Sequence, residues 1–217
     1  MKLSKRLLNC AHFTAGFNKL ADIGTDHALL PIYCIKEGLV SNALAIDNKE
    51  GPYLIALTNV KKHGYEKQVE VLLGNGIQKI TDDVDVVVIA GMGGMLISKI
   101  LQMDPLKNVQ RLILQPNSDT YAIRKILKHI GFKIVEEVVL LDSKKLYDVI
   151  VLERGIQELS KLEEIFGPIN LREKPYFFTL RIEKELEHLH KIEALIHSKD
   201  EKIQLLARIK LLEEALQ

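Results

Sequence analysis

Cysteine is scarce in this chain of 217 residues, and the two present, Cys10 and Cys34, stand in no paired spacing. A disulfide framework and a zinc site are thereby excluded, since each needs several ligating side chains at fixed intervals. An excess of one charge is missing as well: 30 Lys and Arg face 29 Asp and Glu, for a formal net charge of +1. There is no global basic field, so a nucleic acid must meet a local patch. Long apolar runs are lacking too, and none approaches the roughly 20 residues that span a bilayer. The opening Met1-Lys2-Leu3-Ser4-Lys5-Arg6-Leu7-Leu8 is basic, but its apolar run breaks at Asn9. It reads as an amphipathic helix and not a signal peptide. The expectation is a cytoplasmic protein that engages neither membrane nor metal.

Several catalytic signatures are absent. The chain has no G-x-G-x-x-G fingerprint, no P-loop Gly-Lys-Ser/Thr, no Gly-x-Ser-x-Gly elbow, and no C-x-x-C or H-x-x-x-H spacing. Of its seven histidines, His27 sits in a loop while His188, His190 and His197 fall in the tail, so they form no metal set.

What is present is an alternation of strand-like and helix-like segments. Lys19–Ile23, Ala43–Ile46, Val69–Leu73, Val84–Ala90 and Arg111–Gln115 are short runs rich in Val, Ile and Leu. Helical patterns lie between them at about 27–38, 52–64, 94–102 and 119–130, with Pro52 suited to a first turn and Gly38, Gly64 and Gly131 to helix ends. Such alternation predicts an α/β fold with a parallel sheet covered on both faces. Lys133–Leu141 and Tyr147–Glu153, linked by Asp142-Ser143-Lys144-Lys145, predict an antiparallel hairpin at the sheet edge. Character changes after Arg154-Gly155, which divides the chain into domains 1–154 and 155–217. From Pro175 to Leu216 two apolar stripes follow, Leu180, Leu186, Leu189, Ile192, Leu195 and Ile196, then Ile203, Leu206, Ile209, Leu212 and Leu216. The polar Ser198-Lys199-Asp200 between them predicts a helical hairpin; one long dimerising helix is the competing arrangement.

Ligands of an open α/β sheet bind at the carboxyl ends of its strands. The first strand ends in Asp22-Ile23-Gly24-Thr25-Asp26-His27, with one glycine and two acids. Negative charge there disfavours a pyrophosphate and suits a ligand bearing cations or hydroxyls, as S-adenosylmethionine does. A strand ending in D-x-G also serves plain turn chemistry. The second strand ends in Asp47-Asn48, at the spacing where a carboxylate accepts ribose hydroxyls, or where it simply starts a turn before Gly51-Pro52. Gly74-Asn75-Gly76 offers an amide to an adenine edge, or a tight turn. The fourth strand ends in Gly91-Met92-Gly93-Gly94, and three glycines in four residues are costly unless the backbone requires them. The fifth ends in Gln115-Pro116-Asn117, two amides flanking a proline, suited to a base edge or to a strand-to-helix turn.

Taken in order, the stretches ADIGTDHALLPIY, DNKEGPY, GNGIQ, VVIAGMGGMLI, LILQPN and LYDVIVLE make the chain resemble the bacterial TrmK-type methyltransferases, which methylate N1 of adenosine 22 in tRNA. The resemblance spans about Leu20 to Glu153, and the helical tail is similar to that family's coiled-coil appendage. It implies a class I methyltransferase, Rossmann-like, with a seven-stranded mostly parallel sheet in the order 3-2-1-4-5-7-6, a C-terminal α-helical coiled-coil hairpin, and S-adenosyl-L-methionine as cofactor. By position, Gly24, Asp26, His27 and Ala28 then lie against the methionine part, with Asp22 at the base of their loop. Asp47 and Asn48 meet ribose and adenine, Asn75 and Gly76 the adenine, and Gly91, Met92 and Gly93 the cofactor beside the target base. Relatives usually carry Glu where Asp47 stands and Asp where Asn75 stands. Asp26 is the candidate for electrostatic catalysis, with Gln115 and Asn117 gripping the base. Lys2, Lys5 and Arg6, and Lys184, Lys191, Lys199 and Lys202 on the tail, are candidate phosphate contacts to the expected tRNA partner. A monomer is expected, with a dimer through the tail as the alternative. A small-molecule methyltransferase and a non-catalytic RNA-binding module are the competing functions.

Overall fold

The computed structural model describes residues 2–103, 106–193, 195–196 and 198–217. The chain separates into two compact units, Met1–Glu158 and Leu159–Gln217.

The first unit is built on seven strands: β1 (Lys19–Ile23), β2 (Asn42–Asp47), β3 (Val69–Leu73), β4 (Val86–Met92), β5 (Arg111–Pro116), β6 (Phe132–Asp142) and β7 (Lys145–Arg154). They form one sheet in the order β3-β2-β1-β4-β5-β7-β6, as the resemblance implied. β1 to β5 pair in parallel, while β7 runs antiparallel to both neighbours. The helices are α1 (Lys5–His12), α2 (Leu29–Lys36), α3 (Glu50–His63), α4 (Gly94–Leu101), α5 (Thr120–Lys125) and α6 (Leu127–Ile130). Central strands of a covered parallel sheet are apolar on both faces, so they read as continuous runs. Val86 to Ile89 and Leu112 to Leu114 are accordingly all solvent-free.

Four local features differ from the sequence reading. β4 ends at Met92, not Ala90, because Gly91 forms a bulge: Ala90 pairs with Gln115 and Met92 with Pro116, leaving Gly91 (φ +81°) as the extra residue. The β6–β7 link shrinks from four residues to two, since Asp142 and Lys145 are still paired. Ser143 (φ 48°) and Lys144 (φ 70°) make a turn that glycine or asparagine usually signals. The helix expected over 119–130 breaks at Ile126 into α5 and α6. A 3₁₀ turn, Gly76–Lys79, follows β3.

The second unit holds α7 (Lys161–Phe166), α8 (Pro168–Glu173), α9 (Tyr176–Glu193) and α10 (Lys199–Leu216). A capping box, Ser160 with Glu163, starts α7, and the Ser198 hydroxyl accepts from the Glu201 N–H at the head of α10. α9 and α10 pack antiparallel: Arg208 donates to both carboxylate oxygens of Glu185, and Lys174 Nζ reaches the carbonyl of Leu216. The residues buried on α10 are Leu205, Ile209, Leu212 and Ala215, while Ile203 and Leu206 are exposed. The expected stripe was therefore one row off over the first turns, since leucines at helical spacing occupy two neighbouring rows. On α9 the buried residues are Phe178 and Ile182, and Leu195 lies past the helix end, 72% exposed. His188 and His190 are exposed on α9; His197 falls outside the described residues.

Candidate active site

A cleft of about 970 Å³ opens at the carboxyl edge of the parallel strands, within the range of small-molecule sites. Ten of the expected residues line it: Asp22, Gly24, Asp26, His27, Asp47, Asn48, Asn75, Gly76, Gly91 and Met92. Ala28, Gly93, Gln115 and Asn117 stand behind or beside that lining.

The loop after β1 is held from β2. Gly24 N and Thr25 N both donate to the carbonyl of Ile46, at 2.8 and 3.0 Å. Asp26 N donates to Asp47 Oδ2 at 3.1 Å. These bonds keep two non-glycine residues, Asp26 (φ 55°) and Ala28 (φ 54°), in the left-handed region. Such strain gathers at functional loops and persists only where the surroundings over-determine it. Ala28 is buried as the residue that opens α2. At Gly24 a β-carbon would stand 2.2 Å from Met92 Cε, so the bulged strand covers the loop.

The two inner carboxylates differ in character. Asp22 is 5% exposed, and its carboxyl is pushed up to about 7, first by burial; the Thr25 hydroxyl, donating at 2.7 Å, opposes that and nearby Asp47 adds to it. Asp47 takes one backbone N–H on each oxygen, Asp26 N on Oδ2 and Lys49 N on Oδ1 at 3.0 Å. Each oxygen keeps a lone pair that these donors leave unused, and Asp47 lines the cleft, a donor-free pair of acceptors that matches a vicinal diol. Asp26 is exposed, with His27 Nε2 3.4 Å from its carboxylate, and Asn59 Nδ2 fixes the His27 carbonyl at 2.9 Å.

The amides at the end of β5 divide in role. Gln115 is wholly buried and fully engaged: its carbonyl accepts from Arg6 at 2.5 Å, and its Nε2 donates to Pro116 O and to Asn117 Oδ1. It has no reach to a base and sits behind Asn117, which is exposed at the rim. Asn117 donates from Nδ2 to Gly91 O at 2.6 Å and from its backbone to Met92 O at 2.8 Å. Gly93 opens α4, and a β-carbon on Gly94 would stand 2.2 Å from the carbonyl of Asp119. Of the three glycines, Gly91 thus supplies a bulge and Gly94 a close backbone crossing.

Arg6 lines the cleft, and sequence spacing gave no sign of it. It belongs to α1, 109 residues from the Gln115 it meets. Lys2 and Lys5 are exposed as expected of phosphate contacts, whereas Arg6 turns inward over the Tyr147 ring, 5.6 Å from its centroid. Among the described residues no group of three or more His, Cys, Asp or Glu is arranged to hold a metal, and no helix is long and apolar enough to cross a membrane.

A family model for tRNA (adenine(22)-N(1))-methyltransferase, TrmK, matches residues 20–214. The chain belongs to that family. The Bacillus subtilis (strain 168) tRNA (adenine(22)-N(1))-methyltransferase is 36% identical over 201 residues, 88% of this chain and 84% of that one. Among solved structures, Streptococcus pneumoniae Sp1610 in complex with S-adenosyl-L-methionine superposes with a TM-score of 0.91. It is 37% identical and covers 100% of both chains. The TrmK of M. capricolum, in complex with S-adenosyl-homocysteine, is 28% identical with a TM-score of 0.89, covering 99% of this chain and 97% of that one. TrmK members thus share the sheet, and both complexes carry the cofactor or its product.

Proposed function

We propose that this TrmK-family chain methylates N1 of adenosine 22 in tRNA, using S-adenosyl-L-methionine. The observation that carries this is the Asp47 carboxylate, with one spare lone pair per oxygen, facing the cleft of a family member. The donor set fits that cofactor: Asp22 and Asp26 for positive charge, Asp47 and Asn48 for the ribose, Asn75 and Gly76 for the adenine. Gly24 and His27 form the wall for the methionine part with Ala28 packed behind them, and Gly91 and Met92, with Gly93 beside them, separate it from the base.

When bound, the cofactor supplies an electrophilic methyl group, which the adenine N1 lone pair takes in line as the sulfur–carbon bond breaks. No proton need leave N1 first, so the chain requires no general base there. Positive charge passes from sulfur to the base. The protein's own contribution is alignment in a preformed cleft, together with a negative environment from Asp26. Asn117 grips the base at the rim and Gln115 positions Asn117. Because N1 lies on the Watson–Crick edge, the base must be unpaired or flipped to react. A folded RNA is then read through shape and phosphates. Lys2 and Lys5 on the first unit and Lys184, Lys191, Lys199 and Lys202 on the helical unit are the proposed phosphate contacts, all exposed. We assign unit 1 to cofactor and chemistry, and the helical unit to RNA. A cytoplasmic monomer is the working form, since α10 spends its apolar row, Leu205, Ile209 and Leu212, inside its own unit.

The test is transfer of labelled methyl from S-adenosyl-L-methionine to unmodified tRNA, with the nucleoside identified, for wild type and Asp26→Ala. 1-Methyladenosine from wild type and its loss in the variant, with cofactor still bound, is expected. Cofactor binding without transfer to any tRNA would overturn the RNA assignment.

A further inference from the structure

Two amides at the end of β5, Gln115 in the strand and Asn117 just past it, are locked in one direction, and the locks are independent. An arginine can only donate, so the Gln115 atom facing Arg6 must be oxygen. A backbone carbonyl can only accept, so the Gln115 atom facing Pro116 O must be nitrogen, as must the Asn117 atom facing Gly91 O. Both demands agree with the bond between them, from Gln115 Nε2 to Asn117 Oδ1 at 3.3 Å. The relay therefore runs Arg6, Gln115, Asn117, Gly91, each group donating to the next.

Arg6 is itself fixed from outside the relay. Its backbone N–H donates to Asp142 Oδ2 at 3.2 Å, and its guanidinium lies over Tyr147. Asp142 also takes the Ser143 hydroxyl, which ties the start of α1 to the β6–β7 turn.

Asn117 ends the relay with one N–H on Nδ2 and one lone pair on Oδ1 unused by described residues. An asparagine amide with one donor and one acceptor free is the partner of an adenine Hoogsteen edge, donating to N7 and accepting from the N6 amino group. That edge is the one a reaction at N1 leaves unobstructed. Guanine or hypoxanthine offers two acceptors there, and a locked amide meets the oxygen with its own. We propose that Asn117 determines base specificity by reading the Hoogsteen edge of the target adenine, its direction set by the Gly91 carbonyl and by Gln115, and that Arg6 is a positioning residue that holds Gln115. The proposal rests on the reading of this protein as an adenine-N1 methyltransferase.

The experiment uses the full chain and two tRNAs, one with adenosine and one with 7-deazaadenosine at the target, under single-turnover conditions with saturating tRNA. Removing N7 deletes one acceptor and leaves N1 and N6 in place. The variants are Asn117→Ala, Gln115→Glu, Arg6→Ala and Arg6→Lys, each first checked for S-adenosyl-L-methionine binding by calorimetry. Asn117→Ala sets the intrinsic ratio of the two rates. In wild type the adenosine preference should exceed that ratio by about tenfold, as one hydrogen bond allows. Gln115→Glu keeps the bond to Arg6 but cannot donate onward, which leaves the Gly91 carbonyl as the one remaining hold on Asn117, so its ratio should fall between those of wild type and Asn117→Ala. Arg6→Ala leaves both carbonyl locks in place and should lower the ratio less than Gln115→Glu, while Arg6→Lys, still a donor, should retain most of the preference. Equal ratios in wild type and Asn117→Ala would overturn the proposal while leaving the N1 chemistry intact. Wild type unable to methylate the adenosine tRNA would overturn both readings together.

Discussion

Asp47 accepts the backbone N–H of Asp26 at 3.1 Å, which joins the end of β2 to the most exposed acid of the β1 loop. One carboxylate thus shapes the loop and faces the cleft. Asp47→Ala should lower affinity for S-adenosyl-L-methionine by at least about tenfold, since hydrogen bonds to charged groups are worth roughly 1.5–3 kcal/mol each. Asp47→Asn, which keeps one acceptor oxygen, should fall between. Calorimetric titration of the three proteins checks the order, and equal affinities would remove Asp47 from the binding site.

Two glycines at the same edge should respond differently to alanine. At Gly24 the obstacle is the mobile tip of Met92, plus a φ of +72°. Gly24→Ala should cost about 1–2 kcal/mol of stability and weaken cofactor binding, because Met92 must swing toward the cleft. At Gly94 the obstacle is backbone, the Asp119 carbonyl at 2.2 Å and the Ser118 carbonyl at 2.8 Å. Gly94→Ala should be the more destabilising of the two in urea unfolding.

Asp22 predicts a pH dependence with a definite sign. Its carboxyl moves from an ordinary 3.8 to about 7 in the folded chain, chiefly through burial. The folded state then holds a proton that the unfolded state has lost between those values, so stability falls as pH rises through that window. Asp22→Asn should remove the effect. In the cofactor-free protein, the melting temperature of the variant relative to wild type should rise by a few degrees from pH 5 to pH 8. A cationic ligand favours the ionised carboxylate, so S-adenosyl-L-methionine binding near pH 6.5 should release a proton, detectable by calorimetry in buffers of differing ionisation heat.

The helical unit should matter for RNA and not for cofactor. Lys184, Lys199 and Lys202 are exposed, and changing all three to Glu leaves the buried row of α10 untouched. The dissociation constant for tRNA should rise several-fold at low salt, with a shallower salt dependence, while that for S-adenosyl-L-methionine stays constant. An unaltered tRNA affinity would place the phosphate contacts elsewhere.

The strands and the cleft loops were legible because each is an apolar run cut off by glycine and polar residues. Asp47, Asn75 and Gly91 could be ranked from their positions after those runs alone. Three things were not legible. The Gly91 bulge depends on register against β5, which local sequence does not encode. The Ser143-Lys144 turn uses residues that carry no turn signature, so the hairpin looked looser than it is. Arg6 and Gln115 meet across 109 residues, beyond any local pattern, so sequence spacing suggests a surface cation where a part-buried relay begins. Gln115 was expected to touch the base for the same reason: its spacing fits, but only packing reveals that both ends are occupied.

The bond from Arg6 N to Asp142 spans 136 residues. During synthesis, α1 leaves the ribosome well before the residue that anchors it. At about 5–20 residues per second, it waits roughly 7 to 27 seconds for the β6–β7 turn to emerge. The parallel strands can assemble in that interval, but the relay that begins at Arg6 cannot close. The growing chain therefore acquires its cofactor loops before its base-reading edge is complete, and a ribosome-bound fragment ending before Asp142 should lack the hold that Arg6 exerts on Gln115.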